Sequence, residues 1–591
     1  MYDHWDLSAL YNGCNDKKYA EDVARVGDFC AGIQKLASEA GKIPDAEFVK
    51  KYILFEEGAS VTFDRLASYL SLRSAVNSKD NESVSELSKL MTAVSAVSGY
   101  EAGIKRYIGS IPDLDGIIAS DPILTEYAYL LRSIKDEAAH LLGNGEEKII
   151  SLFNISGGHA WSDLQSYLTS SVAVDYNGGV TNLSDIRNNA YDVDPEVRKK
   201  SYDAELACYD KIKDSVAFSM NSIKMQAMTE ASLRGFESPL DATLFQSKIK
   251  KETLDALTGA MEEYMPHFRR YLKAKAKLLG HKNGLPWYDL FAPVGNSGKT
   301  FTPETAREYL GKVFGGFDAE LADMIDGAFE HDWIDFYPAD GKVGGAFCSS
   351  VSSEKRSYVL TNFGGYFTDV MTLAHELGHA FHNKMIYGSH RPLNGNYSMP
   401  VAETASNFNE VVTMDYALTH AESDGEKLSL IESKLSDTTQ IICDCYSRFL
   451  FEKSVFESRG GEFLSADRLC ELMLAAQDKT YGDGLDGNFK HPYMWLCKSH
   501  YYSAGLSFYN WPYSFGGLFA QGLYAKYKKE GKSFIPLYKK LLYSTTVCSV
   551  EDAAAIADID VTDKQFWRDG LDYFVSMIDD FEKLVDKEVT K

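Results

Sequence analysis

Residues 370–385, Val-Met-Thr-Leu-Ala-His-Glu-Leu-Gly-His-Ala-Phe-His-Asn-Lys-Met, constrain this chain more than any other stretch. At about 100° per residue, Val370, Ala374, Leu377, Phe381 and Met385 gather on one stripe of a helix. His375, His379 and His382 gather on roughly the opposite one. Such a helix must bury its apolar side and present its imidazoles to a polar space, so the surrounding chain has to supply both. The N-terminal third is suited to that task. Asp45-Ala-Glu-Phe-Val-Lys-Lys-Tyr-Ile-Leu-Phe, Val84-Ser-Glu-Leu-Ser-Lys-Leu-Met-Thr-Ala-Val and Leu124-Thr-Glu-Tyr-Ala-Tyr-Leu-Leu-Arg-Ser-Ile all space their apolar residues at i, i+3/i+4, i+7. Only 15 of the 591 residues are proline, which leaves long helices uninterrupted. A mostly α fold is expected.

A chain of this length exceeds one simple core. Asp194-Pro195-Glu196 reads as a helix start, with a cap, a proline at the first helical position and an acid in the first turn. It suggests a boundary near 190, between an N-terminal helical region 1–190 and a C-terminal region 191–591. Just before it, Val172-Ala-Val-Asp-Tyr, Asn177-Gly-Gly and Val180-Thr-Asn-Leu read as a β-hairpin. An irregular Gly/Pro-rich stretch at 281–303 includes Pro293-Val-Gly-Asn-Ser-Gly. Trp333-Ile-Asp-Phe-Tyr, Gly345-Ala-Phe-Cys-Ser and Ser357-Tyr-Val-Leu then predict a small antiparallel sheet next to the histidine-bearing helix.

Charge excludes some functions. Against 61 Lys and Arg stand 85 Asp and Glu, a net charge of −24, which repels a phosphate backbone, so no nucleic-acid partner is expected. No apolar run reaches the roughly 18 residues a membrane span requires. The opening Met1-Tyr-Asp-His-Trp-Asp-Leu lacks a basic and an apolar region, so no signal peptide is expected. The nine cysteines include no CxxC pair and read as reduced thiols. A cytoplasmic protein without a membrane partner is the expectation.

His375 and His379, one turn apart, can offer two legs of a tetrahedral metal site. With Glu376 beside them this is the HExxH arrangement, in which the glutamate takes a proton from water on zinc. A ligand 19 residues after His379 would be Ser398, and the metzincin pattern would require histidine where Met385 stands, so neither spacing fits. The first carboxylate after His379 is Glu403, with Glu410 two turns further on the same helical face. Glu403 as third ligand and Glu410 as hydrogen-bond acceptor for a ligand histidine is the economical assignment. The other reading of Glu403 is a capping or surface residue. His382 and His390 are expected to pack or hydrogen-bond, because a catalytic zinc keeps its fourth position for water.

The sequence here resembles the oligoendopeptidase F branch of the thimet oligopeptidase family of zinc metallopeptidases. The resemblance rests on His375-Glu-Leu-Gly-His-Ala-Phe-His, Glu403-Thr-Ala-Ser with Glu410, and Trp5-Asp-Leu-Ser-Ala-Leu-Tyr. It extends to His500-Tyr-Tyr with Phe508-Tyr-Asn-Trp-Pro-Tyr-Ser-Phe-Gly516. It implies a large two-lobed helical ellipsoid with one zinc at the bottom of a deep central channel, and short unstructured peptides as substrates. It also implies that Gly345 and Ala346 belong to an edge strand that pairs with substrate backbone. Ser507 and Trp511 depart from the family's usual residues, which bears on side-chain preference.

Chemistry adds a role for the tyrosine block. Negative charge develops on the carbonyl oxygen during hydrolysis, and His500 and Tyr509 are suited to meet it. Tyr502 and Tyr513 are candidates for orienting substrate, against the plainer reading of an aromatic core. The activity expected is a zinc endopeptidase with Glu376 as general base. The alternative is a zinc exopeptidase, of carboxypeptidase or dipeptidase type, on the same scaffold. Two readings from other classes are a di-iron bundle using Glu137-Ala-Ala-His140 with Glu376-Leu-Gly-His379, and a helical binding protein without activity. Oligomeric state and cleavage preference are not written in the sequence.

Overall fold

Short acceptor side chains start the helices. Asp16, Asp80, Asp194 and Ser465 each accept a bond from a backbone N–H of the turn that follows, a cap worth about 1 kcal/mol. Asp194 and Pro195 open the helix Pro195–Tyr209 as expected. Strands β1 (Val174–Tyr176) and β2 (Gly179–Thr181) form the expected hairpin. Its two loop residues, Asn177 and Gly178, have φ of 50° and 79°, the left-handed pair that a type I′ turn requires.

The computed structural model describes residues 4–295, 299–388 and 390–590. Met1–Asp3 of the opening segment and Asn296–Gly298 of the Gly/Pro-rich stretch lie outside the described residues. The fold is mostly helical with only small sheets, and among the described residues no helix is long and apolar enough to cross a membrane. The cysteines are free thiols.

The chain divides into two compact units, each assembled from separated segments. The first comprises Met1–Leu141, Lys299–Tyr416 and Lys526–Ile559; the second comprises Leu142–Gly298, Ala417–Ala525 and Asp560–Lys591. A single boundary near 190 partitions the chain differently, because what defines these units is contact between segments far apart in sequence.

In the first unit, helix Asp45–Val76 buries Phe48, Val49, Tyr52 and Ile53 against Ile104, Ile108, Leu124 and Leu131. Its C-terminal half packs Leu66, Tyr69 and Leu70 in one cluster with Val351, Tyr358 and Leu360 of a three-stranded sheet. That sheet contains β3 (Ile334–Asp335), β4 (Phe347–Val351) and β5 (Arg356–Leu360), in the order β3-β5-β4. β4 pairs antiparallel with β5, from Phe347 opposite Leu360 to Val351 opposite Arg356. The expectation of a wholly antiparallel sheet is corrected at β3, which runs parallel to β5 with Ile334 opposite Val359. The β4–β5 hairpin turns back so that β5, not β4, meets β3, with Val359 and Thr361 donating to the carbonyls of Trp333 and Asp335.

In the second unit, helix Lys213–Leu233 packs Val216, Met220 and Ile223 in one core with Phe451, Val455, Leu469 and Met473. Helices Lys251–Leu278 and Lys564–Val589 meet through Phe268 on Phe574 and Tyr271 on Phe581, with ring centroids 6.2 and 5.3 Å apart.

Candidate metal centre and active site

The first unit carries the histidine-bearing helix, Phe367–Tyr387. Asp369 fixes its start by accepting the N–H groups of Gly364 and Tyr366 at 3.0 and 2.8 Å. The two predicted stripes hold in part: Val370, Ala374, Leu377 and Phe381 are buried and Met385 is half-buried. The side chains of His375 and His379 keep 23% and 17% of their exposure. His382, expected on the same polar stripe, is instead buried in the core, because helix and loop residues around Thr545 and Tyr397 cover that side. The sheet supplies the ceiling, since β4 and β5 both pack on this helix.

What brings Glu403 to the histidines is a glycine. A Cβ at Gly378 would stand 2.5 Å from the Ala405 carbonyl oxygen and 2.6 Å from Ser406 Cα. Only the missing side chain lets helix Thr404–Thr419 lie this close. Asn409 then clasps the pair by donating Nδ2 to the Ala374 carbonyl at 3.0 Å. Glu403 Oε2 consequently lies 3.3 Å from His375 Nε2 and 3.4 Å from His379 Nε2. One donor atom from each of these three residues falls within 4.8 Å of the others. Ser406 Oγ donates to the same Glu403 oxygen at 2.7 Å, fixing its carboxylate.

Glu410 sits 2.7 Å from His375 Nδ1, so that ring nitrogen is engaged and Nε2 is left facing Glu403 and His379. Burial favours the neutral His375 ring, but the hydrogen bonds to Glu403 and Glu410 outweigh it and push its pKa up to about 10. Burial likewise works against a charged Glu403. The two imidazoles overcome this and hold its carboxyl well below the usual carboxylate range. Lone pairs converging on one point thus draw positive charge to it, as a cation site does. Glu376 is 6% exposed, and burial raises its pKa while His375 and His379 pull it down.

Glu376 lines a cleft of about 340 Å³ together with His375, His379, Glu403, Ala346 and Cys348. Ala346 reaches this cleft. Gly345 instead occupies a turn before β4 at φ 80°, with its carbonyl accepting Asn362 Nδ2 at 2.8 Å. β4 is an edge of its sheet. His382 is fully buried, 2.8 Å from Thr545 Oγ1 and stacked on Tyr397 at 4.3 Å. His390 donates Nε2–H to the Tyr543 carbonyl oxygen at 2.7 Å, since a carbonyl only accepts. Both behave as packed, hydrogen-bonded histidines. Glu137 and His140 take no part in the metal cluster, the one such cluster found among the described residues.

In the second unit, His500 stacks on Tyr509 with centroids 4.9 Å apart and planes 10° from parallel, and Tyr513 lies 5.8 Å from Tyr509. Burial, then the charges of Arg448 and Lys498, push the His500 pKa down to about 4, so the ring is neutral at pH 7. Burial and its hydrogen bond with Tyr509 raise Tyr513. Tyr502 stands apart from these rings. It is 1% exposed and donates its hydroxyl to the Trp495 carbonyl at 3.0 Å, which leaves it a core residue with no free hydrogen. Ser507 and Trp511 are buried as well.

Gly378, Ser406, Asn409 and Cys348 were not singled out in the sequence. A glycine followed 27 residues later by Ala-Ser carries no local signal of contact, and Cys348 is marked only by alternation along β4.

The family model of peptidase family M3 matches residues 189–544, more than half the chain, and that of Oligopeptidase F matches residues 112–173. The chain belongs to peptidase family M3. This M3 peptidase is 25% identical over 600 residues to Oligopeptidase PepF of Bacillus subtilis (strain 168), covering 99% of this chain and 88% of that protein. It is 25% identical over 612 residues to an oligoendopeptidase F homolog of Borreliella burgdorferi, covering 98% of each. Its fold is similar to the crystal structure of oligoendopeptidase-F from Enterococcus faecium, with a TM-score of 0.72 at 18% identity over 97% of this chain and 99% of that one. As an M3 peptidase the protein is an enzyme that takes peptides as substrates.

Proposed function

We propose that this M3 peptidase is a zinc-dependent endopeptidase that cuts internal bonds of short unstructured peptides, with one zinc per chain. The observation that carries the reading is the meeting of His375 Nε2, His379 Nε2 and Glu403 Oε2 beside Glu376 in one cleft. Two imidazoles and one carboxylate are the donor set of a catalytic zinc that keeps a position open, and these residues fit it. When bound, zinc would supply Lewis acidity, polarising a carbonyl oxygen and lowering the pKa of water so that a neighbouring base can deprotonate it.

The remaining chemistry belongs to the protein. Glu376 accepts the proton of the attacking water on its carboxylate and returns it to the departing amine. A buried carboxyl with a raised pKa suits both halves of that exchange. Glu410 holds the proton on His375 Nδ1, which orients Nε2 and raises its basicity. Ala346 and the free edge of β4 align an extended peptide by main-chain hydrogen bonds, with Gly345 giving the turn that begins the strand. In the second unit, His500 and Tyr509 carry donors of the kind that meet negative charge developing on a carbonyl oxygen, and Tyr513 one of the kind that orients a peptide. The relatives' names, oligopeptidase and oligoendopeptidase, favour short substrates and internal cleavage.

The test is mass-spectrometric mapping of products from a mixed pool of short peptides. Wild type, Glu376→Gln, and wild type stripped by chelator and refilled with zinc are compared. Internal cuts that return with zinc are expected, with a loss of ~10³-fold in the variant at unchanged metal content. Release of terminal residues alone establishes an exopeptidase instead. No cleavage by zinc-loaded protein overturns the mechanism.

A further inference from the structure

A cavity of about 240 Å³ lies within the second unit, lined entirely by that unit's residues. Its apolar walls combine the rings of Tyr191, Trp287, Tyr288 and Phe291 with Ile186 and Met494, and Tyr191 and Phe291 are in contact at 4.9 Å between centroids. Its polar lining includes Arg187, Arg198, Glu205, Asp444, His491 and Lys498.

Pairing these charges leaves one over. Arg198 Nε donates to Asp289 at 2.7 Å, with both side chains buried. Arg448 donates to Asp444. Arg187 Nε lies 3.6 Å from Glu205, which also accepts the Tyr209 hydroxyl at 2.8 Å. Lys498 makes no side-chain hydrogen bond or ion pair among the described residues. Burial and the charge of Arg448 lower its pKa from the ordinary lysine value. An anion beside its ammonium would relieve both effects.

Two further observations point at the same space. His491 is 1% exposed and lines the cavity, with Nε2 3.3 Å from Glu205 and Nδ1 without a hydrogen-bond partner. Buried polar atoms are rarely left so. Gln440 and Asp444, both in the lining, are the ends of a π-helical turn, Gln440–Asp444, that interrupts an otherwise α-helical run. Such turns are frequent at functional sites.

We infer that this cavity is a binding site for a monocarboxylate carried on an aromatic body, such as an aromatic amino acid or the C-terminal residue of a peptide, with Lys498 and Arg187 holding the carboxylate. One surplus cation matches one negative charge. The volume lies below the ~300–1,000 Å³ of pockets for drug-sized ligands, which suits a single residue. The inference does not depend on the metal or on Glu376, and it is tested on chelator-treated full-length protein.

The probes are N-acetylphenylalanine, phenylalaninamide and a pentapeptide ending in phenylalanine, titrated against wild type, Lys498→Met, Lys498→Arg, Trp287→Phe and His375→Ala. Calorimetry gives affinity, and the fluorescence change that Trp287→Phe removes gives location. N-acetylphenylalanine is expected to bind saturably, phenylalaninamide at least tenfold more weakly. Lys498→Met should cost at least tenfold and Lys498→Arg much less, at unchanged circular dichroism. Tighter binding of the peptide than of N-acetylphenylalanine identifies a peptide end as the ligand; weaker binding identifies a free residue. Equal binding of the amide overturns the inference, as does indifference to Lys498→Met. Loss of binding in His375→Ala but not in Lys498→Met moves the ligand to the metal cleft, and no saturable binding of any probe overturns the site outright.

Discussion

The metal cluster of the first unit and the Lys498 cavity of the second both withdraw charged groups from water, with opposite imbalance. At the cluster, His375, His379 and Glu403 point lone pairs at a common place, and Glu410 and Ser406 hold two of them there. The surplus is electron density, and the imidazole of His375 responds by holding its proton: it titrates high. In the cavity every carboxylate is taken by an arginine, and the surplus is the ammonium of Lys498, which titrates low. The sign of the misfit in each place states the sign of what fits there. A balanced site gives no such indication, as Lys224 and Glu452 illustrate.

That pair offers the largest effect with which to sharpen the comparison. Lys224 Nζ lies 2.6 Å from Glu452 Oε1, with both side chains 0% exposed. Lys224→Met leaves a buried carboxylate without its cation, and about 3–5 kcal/mol of stability should be lost. Urea melts give the value, and a loss under about 1 kcal/mol would show that burial with a partner matters less here than supposed.

Gly378→Ala comes next and attacks the cluster through packing. The added methyl meets backbone, the Ala405 carbonyl at 2.5 Å, which cannot rotate away. Separating the helices should cost about 2 kcal/mol and move Glu403 off the imidazoles. Zinc content of the purified variant should fall along with its melting temperature. Full metal occupancy at wild-type stability would break the account of how Glu403 is positioned.

Glu410→Gln is gentler. It keeps the shape of the side chain and removes the charge that fixes His375, so zinc affinity should drop ~10–100-fold without loss of fold. Competition against a chromophoric chelator measures this; an unchanged affinity would make Glu410 a bystander.

These residues also mark how far the sequence could be read. The helix at 367–387 was legible because its apolar and imidazole stripes are local, and so was the hairpin, because Asn177-Gly178 dictates its own turn. Glu403 was reachable because no other acid lies between it and His379. The parallel pairing of β3 was not, since it depends on which strand of a later hairpin turns toward it. Gly378 and Asn409 matter only once two helices touch, and nothing at either position announces the other. Tyr502 misled for the converse reason: it sits among tyrosines in sequence, but its side chain is spent in the core. The Lys498 surplus is invisible in composition, because it depends on which arginine claims each neighbouring acid: Asp289 is taken by the distant Arg198 and Asp444 by Arg448 one helical turn on.

The smallest expected change is the most discriminating. Lys498→Met removes a lysine from the same unit as Lys224, with the same replacement, yet no carboxylate is orphaned by it. Asp444 keeps Arg448, and Glu205 keeps Tyr209 and Arg187. The variant deletes a half-desolvated charge and adds apolar surface beside Trp287 and Tyr191. Its stability should therefore lie within about 0.5 kcal/mol of wild type or rise slightly. Run beside Lys224→Met in the same urea series, it separates a lysine that holds the fold from one available to a ligand. A loss above about 1 kcal/mol would mean that Lys498 has a structural partner after all, and that the cavity is balanced like the Lys224 pair rather than set against the metal cluster.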